Sequence, residues 1–332
     1  MIVTIGPWHE KPWWWQHINF DTCACGIDYE RISFGNKKPA EISIFQLPKL
    51  FHKLLIILLK CKYKFIFTFE CGPESFLIAL FQTITFRHSP KHVILQFIMR
   101  EKKNSLKSKL KYFFMRFCFV SLHMAICSSK AETEYYKAVF GWDEEKVKYV
   151  PFHTDPEFLN PICIETDNYI LAAGRTFRDY ETFFSAVEEL DVQAIVVTSP
   201  QGLNHRPVPK NIQIIYELSL SEFTEMMRRS LIVVVPLQDR KISVGQSVVL
   251  QAMAMGKPVI ATRTNGTVDY IDHMTNGVLV EPYNKDNLKN AISMLSKNRD
   301  LRETLARNGR ESIIRKHLPQ HYFERTVELL KR

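Results

Sequence analysis

No apolar run in this 332-residue sequence approaches the roughly 18 residues that a helix needs to cross a bilayer. Leu54–Leu59 is short and flanked by lysines, and Phe113–Cys127 is broken by Arg116 and His123. The start, MIVTIGPWHEKPWWW, lacks a basic region followed by an apolar core, so it does not read as a secretory leader. Low-complexity tracts and short-period repeats are missing, which leaves a globular chain. Cysteine is sparse and scattered: Cys23, Cys25, Cys61, Cys71, Cys118, Cys127 and Cys163 are an odd number, and only the first two stand close together. A lone C-x-C is a weak metal signal, so reduced thiols in a cytoplasmic protein are expected. No D-x-D type cluster follows a strand, and no metal cofactor is expected. The placement expected is cytoplasmic, soluble or peripheral on the inner face of a membrane.

What is present is 46% apolar and 12% aromatic residues, enough to build two α/β domains. The net charge of +9 is unevenly spread. Arg87, Lys91, Arg100, Lys102, Lys103, Lys107, Lys109, Lys111 and Arg116 are opposed in their stretch only by Glu101. A second basic group, Lys49, Lys53, Lys60, Lys62 and Lys64, surrounds the run LLIILL, and no acid occurs from Phe51 to Phe69. Such a half-chain calls for an anionic partner. The stretch has no recognisable nucleic-acid motif, and Tyr112, Phe113, Phe114 and Phe117 read as the core face of a helix. An anionic membrane surface is the partner expected and nucleic acid is not; the plain alternative is a solvated basic face.

Short β-branched or aromatic runs alternate with helical patterns along the whole chain. MIVTIG, KFIFTF, HVILQF, MAICSS and VKYVPF read as buried strands, with helices over Glu74–Ile84 and Leu106–Val120. A second series follows: NYILAAG, AIVVTS, IQIIYE, LIVVVPL, KPVIATR and GVLVEP, with helices over Asp179–Leu190, Ser221–Ser230, Gly245–Met255 and Asp286–Ser296. That alternation predicts an α/β chain with two Rossmann-like, doubly wound parallel sheets. The proline-containing stretch Val150–Asp167 reads as a linker, and His317–Lys331 as a long amphipathic helix with no strand after it. The domains expected are 1–155, 156–316, and a terminal helix 317–332 packing back on the first. Ligands of such folds bind at the carboxyl ends of the strands.

Two elements carry chemistry. In SVGQSVVLQAMAMGKPVIAT, Gly245, Gln246 and Ser247 follow a strand and open a helix. A small-residue turn at a helix N-terminus presents unpaired amides and the positive end of the helix dipole, which suits an anion. Gln251 lies about one and a half turns further in, within reach of the sugar of a bound nucleotide. The plain alternative is a serine-capped strand–loop–helix crossover. In GRTFRD, Arg175 and Arg178 sit in a strand-to-helix loop at the rim, where guanidinium forks grip phosphate bidentately; the alternative is a pair of solvated surface arginines. The run Trp13–Trp15 could stack on sugar faces, but three adjacent side chains cannot share one face, so core packing is the alternative for part of it.

With both elements on one rim, the chain from about Tyr169 onward resembles the retaining GT-B glycosyltransferases of the glycosyl-group-one family, family four. The GR…R loop, the GQSVVLQAMAMGKPVIAT block, NGTVDYI and TNGVLVEP occur in the family's order. ICSSKAETEYYKAVFGWDEEKVKYVPFHTD is similar to its last N-terminal-domain strand, helix and crossing. The resemblance implies two Rossmann-like domains facing across a cleft. It implies a donor diphosphate held by Arg175, Arg178 and the helix start at Gly245, Gln246 and Ser247, with ribose contacted by Gln251. Three departures stand out: Ser243 and Gln251 occupy the places of two glutamates eight positions apart, and GPWHEKPWWW replaces a glycine-rich loop.

The implied reaction moves a hexose, with retention, from a nucleotide-diphosphate sugar to a lipid-linked or cell-surface polysaccharide precursor. Arginines and helix amides would stabilise the leaving diphosphate, which can itself receive the acceptor proton. Candidates for a catalytic role are Asp239, close in sequence to Ser243, and His9, Glu70 and Glu101 on the acceptor side. The rival readings are a nucleotide-sugar epimerase of the same architecture and a non-catalytic relative.

Overall fold

The computed structural model describes residues 2–6, 29–33, 55, 63–160, 166–203, 207–216 and 218–331; for 2–6 and 29–33 it describes the backbone. His9, Trp13–Trp15, Cys23, Cys25, Cys61, Cys163, Lys49, Lys53, Lys60, Lys62 and most of the LLIILL run lie outside the described residues. The chain divides into two compact units, Met1–Val150 with Phe323–Arg332, and Pro151–Tyr322.

The first unit holds a parallel sheet in the order β2-β1-β3-β4-β5-β6. Its strands are β1 (Ile2–Gly6), β2 (Tyr29–Ser33), β3 (Phe65–Phe69), β4 (Lys91–Leu95), β5 (Met124–Cys127) and β6 (Val147–Tyr149). Strand β2, YERIS, is half polar and escaped the sequence reading. Helices α1 (Pro73–Ile84), α2 (Leu106–Cys118) and α3 (Lys130–Phe140) link successive strands. Ser105 and Ser129 cap α2 and α3 by accepting from the amides of Ser108 and Glu132. Every residue of β3 and β5 is buried, the pattern of a sheet covered on both faces. Phe97 anchors an aromatic core edge-on to Tyr136, Phe119, Phe140 and Trp142.

One expectation fails in α2. Tyr112 is buried, but Phe113, Phe114 and Phe117 are exposed, so the helix does not use its phenylalanines as a core face. Helix α2 meets the aromatic cluster around Phe97 through Tyr112, whose ring lies 5.7 Å from that of Phe140, and the Phe114 ring lies 5.7 Å from that of Phe76 in α1.

The second unit repeats the scheme in the order β12-β11-β10-β7-β8-β9, again parallel. The strands are β7 (Tyr169–Ala173), β8 (Gln193–Thr198), β9 (Ile212–Tyr216), β10 (Ile232–Val235), β11 (Val259–Thr262) and β12 (Val278–Val280). Their helices are α4 (Tyr180–Glu188), α5 (Leu220–Arg229), α6 (Gln246–Ala254), α7 (Lys285–Lys297) and α8 (Arg299–Lys316); α9 (Pro319–Lys331) closes the chain. One core layer joins Ile170, Phe183, Phe184, Val196, Val234, Ile260, Ile292 and Leu305. The stretch expected to be a linker is packed over its described part. His153, Thr154 and Asp155 are buried, Phe152 donates its amide to the Tyr270 hydroxyl (2.8 Å), and Arg310 binds the Leu159 carbonyl (2.8 Å).

Candidate functional site

The second sheet changes direction between β7 and β10. Strands β8 and β9 continue on one side and β11 and β12 on the other, while β7 and β10 pair with Ile170 opposite Ile232 and Ala172 opposite Val234. In open α/β sheets ligands bind at the carboxyl ends of the strands on either side of such a switch point. Both chemistry-bearing elements of the sequence leave from these strands: 174–179 after β7 and 236–245 after β10.

The two loops are stitched together. Arg178 and Leu237 form an isolated antiparallel bridge, with Asp179 N donating to Pro236 O (3.1 Å) and Gln238 N to Phe177 O (3.0 Å). Gly174 starts the first loop at φ 129°, a conformation that side chains disfavour. Its carbonyl accepts from Tyr180 Oη (2.7 Å) and Thr198 Oγ1 (2.9 Å).

Arg178 differs from the reading of it as a solvent-side fork. Its Nε donates to Ala173 O (2.9 Å) and Nη1 to Thr176 O (2.8 Å), and the guanidinium lies where a Cβ on Gly174 would stand. Burial lowers its pKa below the ordinary arginine value, with Tyr180 acting in the opposite sense. The fork braces its own loop, because a rim strand turning sharply into a helix leaves carbonyls that need donors. Arg175 is exposed, and its guanidinium has no partner among the described residues.

The start of α6 is equally specific. Gly245 is the N-cap residue at φ 88°, and a Cβ there would stand 2.8 Å from a Leu237 methyl. Gly245 has no side chain with which to cap the helix, so the first turn of α6 opens on backbone alone. Ser247 is exposed, Gln246 is 7% exposed and Gln251 is 5% exposed. The Gln251 amide makes no side-chain hydrogen bond among the described residues. Ser243 is buried, and Asp239 is exposed with its backbone amide donating to Tyr283 Oη (3.0 Å).

The rim thus brings together Arg175, Arg178, Asp239, Gly245, Gln246 and Ser247, with Gln251 behind them in α6. The sequence reading missed Arg240. Its guanidinium stacks 4.7 Å above the Phe177 ring and donates to Gln238 Oε1 (2.6 Å), adding a second cation from the opposite loop. Its only sequence signal was a basic residue in a strand-to-helix loop. A cavity of about 890 Å³ adjoins the bridge, lined by Arg178, Asp179, Thr182, Gln238, Tyr283 and Lys285. Gly245–Ser247 and Gln251 do not line it.

Glu70 and Glu101 belong to the first unit. Glu70 follows β3 at φ 53°, and burial of its carboxyl raises its pKa. Next to it the structure reveals Glu74, buried in the first turn of α1. Burial first, then repulsion from Glu70, push its carboxyl up to about 7, against the pull of its own backbone amide. Among the described residues no group of three or more His, Cys, Asp or Glu is arranged to hold a metal ion.

Comparison with known proteins agrees with this architecture. Residues 203–312 match the family described as Glycosyl transferases group 1. An uncharacterized glycosyltransferase of Methanocaldococcus jannaschii is 36% identical over 101 residues, 30% of this chain and 28% of that relative, so the match spans under a third of either. Over 99% of the chain the fold resembles that of a glycosyltransferase from Rickettsia africae (TM-score 0.70, 16% identity, 97% of that chain). It equally resembles HepE of Anabaena, solved with UDP and glucose (TM-score 0.71, 16% identity, 99% of that chain). The two-unit α/β architecture with parallel sheets is the GT-B fold.

Proposed function

We propose, for a chain whose residues 203–312 carry a glycosyl transferases group 1 domain, that the β7–β10 rim binds a nucleotide-diphosphate sugar for hexose transfer. The observation that carries this reading is the stitched pair of loops at the switch point, with a helix that opens on Gly245 at the end of one and an exposed arginine on the other. A diphosphate meets the amides of Gln246 and Ser247 and the guanidinium of Arg175, with Arg240 as a second cation. Gln251 offers its amide to ribose hydroxyls.

The donor phosphate bears the charge that grows as the glycosidic bond breaks, so cations and amides fixed in advance stabilise the transition state more than the bound donor. Transfer proceeds with retention as in family four, and the departing diphosphate takes the acceptor proton. The acceptor is a lipid-linked or cell-surface glycan precursor. UDP-sugars are the first donors to test, since HepE was solved with UDP. The test is a panel of nucleotide sugars, scored for nucleoside diphosphate release with and without membrane extract. Release that depends on extract supports transfer. Sugar interconversion without acceptor identifies an epimerase, and nucleotide binding without turnover a non-catalytic relative.

A further inference from the structure

Helix α2 carries an apolar stripe that is exposed in the structure. Leu106, Leu110, Phe113 and Phe117, with Val120 just past the helix end, recur at spacings of four and three, the repeat of one helix face. They are 73%, 60%, 75%, 49% and 60% exposed. At about 100° per residue, the stripe lies roughly opposite Tyr112, Met115 and Phe119, the side turned toward the sheet. Thr83 Oγ1 donates to Cys118 O (2.8 Å) and so joins the ends of α1 and α2; exposed Ile84 and Phe86 stand at that junction.

Charge follows the same helical geometry. Lys109 and Arg116 lie along one margin of the stripe, and Lys107 and Lys111 along the other; Lys102 and Lys103 precede the helix. None of these six cations is in an ion pair among the described residues, and α2 has no acidic residue. An apolar ridge with cations on both margins matches a phospholipid interface, where acyl chains lie below a layer of phosphates. A nucleic acid would satisfy the cations and leave the ridge in water.

We propose that α2 lies in the interface of an anionic phospholipid membrane, its Leu106–Leu110–Phe113–Phe117 ridge sunk below the phosphates and its lysines level with them. The inference uses no residue of the second unit and stands apart from the donor site. The experiment is co-sedimentation of the full chain, without nucleotide, with vesicles of phosphatidylglycerol and phosphatidylcholine or of phosphatidylcholine alone. The wild type should pellet with the anionic vesicles. Phe113→Ser with Phe117→Ser should lower the partition coefficient at least about tenfold. Lys107→Gln with Lys111→Gln should lower it about fivefold per charge, a loss that shrinks in high salt. Leu110→Ser provides a milder variant should the double one misfold, and an unchanged melting temperature shows that the fold survives. The proposal falls if the wild type stays in the supernatant, or if the folded serine variants pellet as well as the wild type. It also falls if the chain is a dimer that the phenylalanine variants dissolve, since a second copy then owns the ridge. Nucleoside diphosphate affinity in the same variants should stay at the wild-type value, which separates this result from any failure of the donor reading.

Discussion

Arg175 leaves its guanidinium in solvent, while Arg178, three residues on, folds its own onto the carbonyls of Ala173 and Thr176. Arg175→Ala should melt like the wild type and lose on the order of 1.5–3 kcal/mol of nucleoside diphosphate affinity, measured by titration calorimetry. Arg178→Ala should instead lower the melting temperature, because two carbonyls lose their donors at about 1–3 kcal/mol. Glu74 yields a pH test. Its folded pKa of about 7 exceeds its ordinary value of 4.5, so the folded chain holds the proton more tightly than the unfolded one. This stabilising contribution is complete below about pH 4.5 and is lost as pH rises through 7. Glu74→Gln keeps the neutral form, so thermal melts should show little difference at pH 5 and a more stable variant at pH 8, by up to about 3 kcal/mol.

At the level of the element, α6 carries most of the proposed donor contacts. Gly245→Ala forces a Cβ into φ 88° and onto the Leu237 methyl, costing on the order of 1–3 kcal/mol in a chemical melt and tilting the helix start away from any phosphate. Gln251→Glu should keep donor affinity, since it retains an acceptor at the same reach. Gln251→Leu should weaken it, visible as a higher KM for the nucleotide sugar; equal kinetics would make Gln251 a packing residue. The strand–loop–helix around Gly245 was legible in the sequence because small residues stand between an apolar run and an Ala- and Met-rich helix. The strands were legible too, since buried parallel strands show as unbroken apolar runs. Strand β2 was not, because YERIS is half polar. Nor was the fate of Phe113 and Phe117: periodicity identifies an apolar face of a helix, but not whether a neighbour covers it. Side-chain direction was equally hidden, so two arginines in one loop looked alike.

For the whole molecule, a ligand that binds only the folded form should raise its stability. Nucleoside diphosphate at a hundred times its Kd adds about 2.7 kcal/mol, which a calorimetric scan reads directly. Hydrogen exchange should place that protection in the second unit, at residues 174–179, 236–247 and α6, and leave β3 to β6 unchanged. Protection confined to the first unit would overturn the assignment of the rim. Among the described residues no helix is long and apolar enough to cross a membrane.

The bridge between Arg178 and Leu237 has a consequence for proteolysis. The rim is rich in trypsin sites, yet a protease must draw several residues on each side of the cleaved bond into an extended strand in its own groove. Backbone tied to a neighbouring loop by Asp179 N–Pro236 O and Gln238 N–Phe177 O resists being drawn out. Lys241 is exposed and lies beyond the paired residues, its carbonyl accepting from Asn265 Nδ2 (3.4 Å). Brief digestion should therefore nick the chain after Lys241 well before it cuts after Arg178, and the order of the fragments would report how firmly the two loops are sewn.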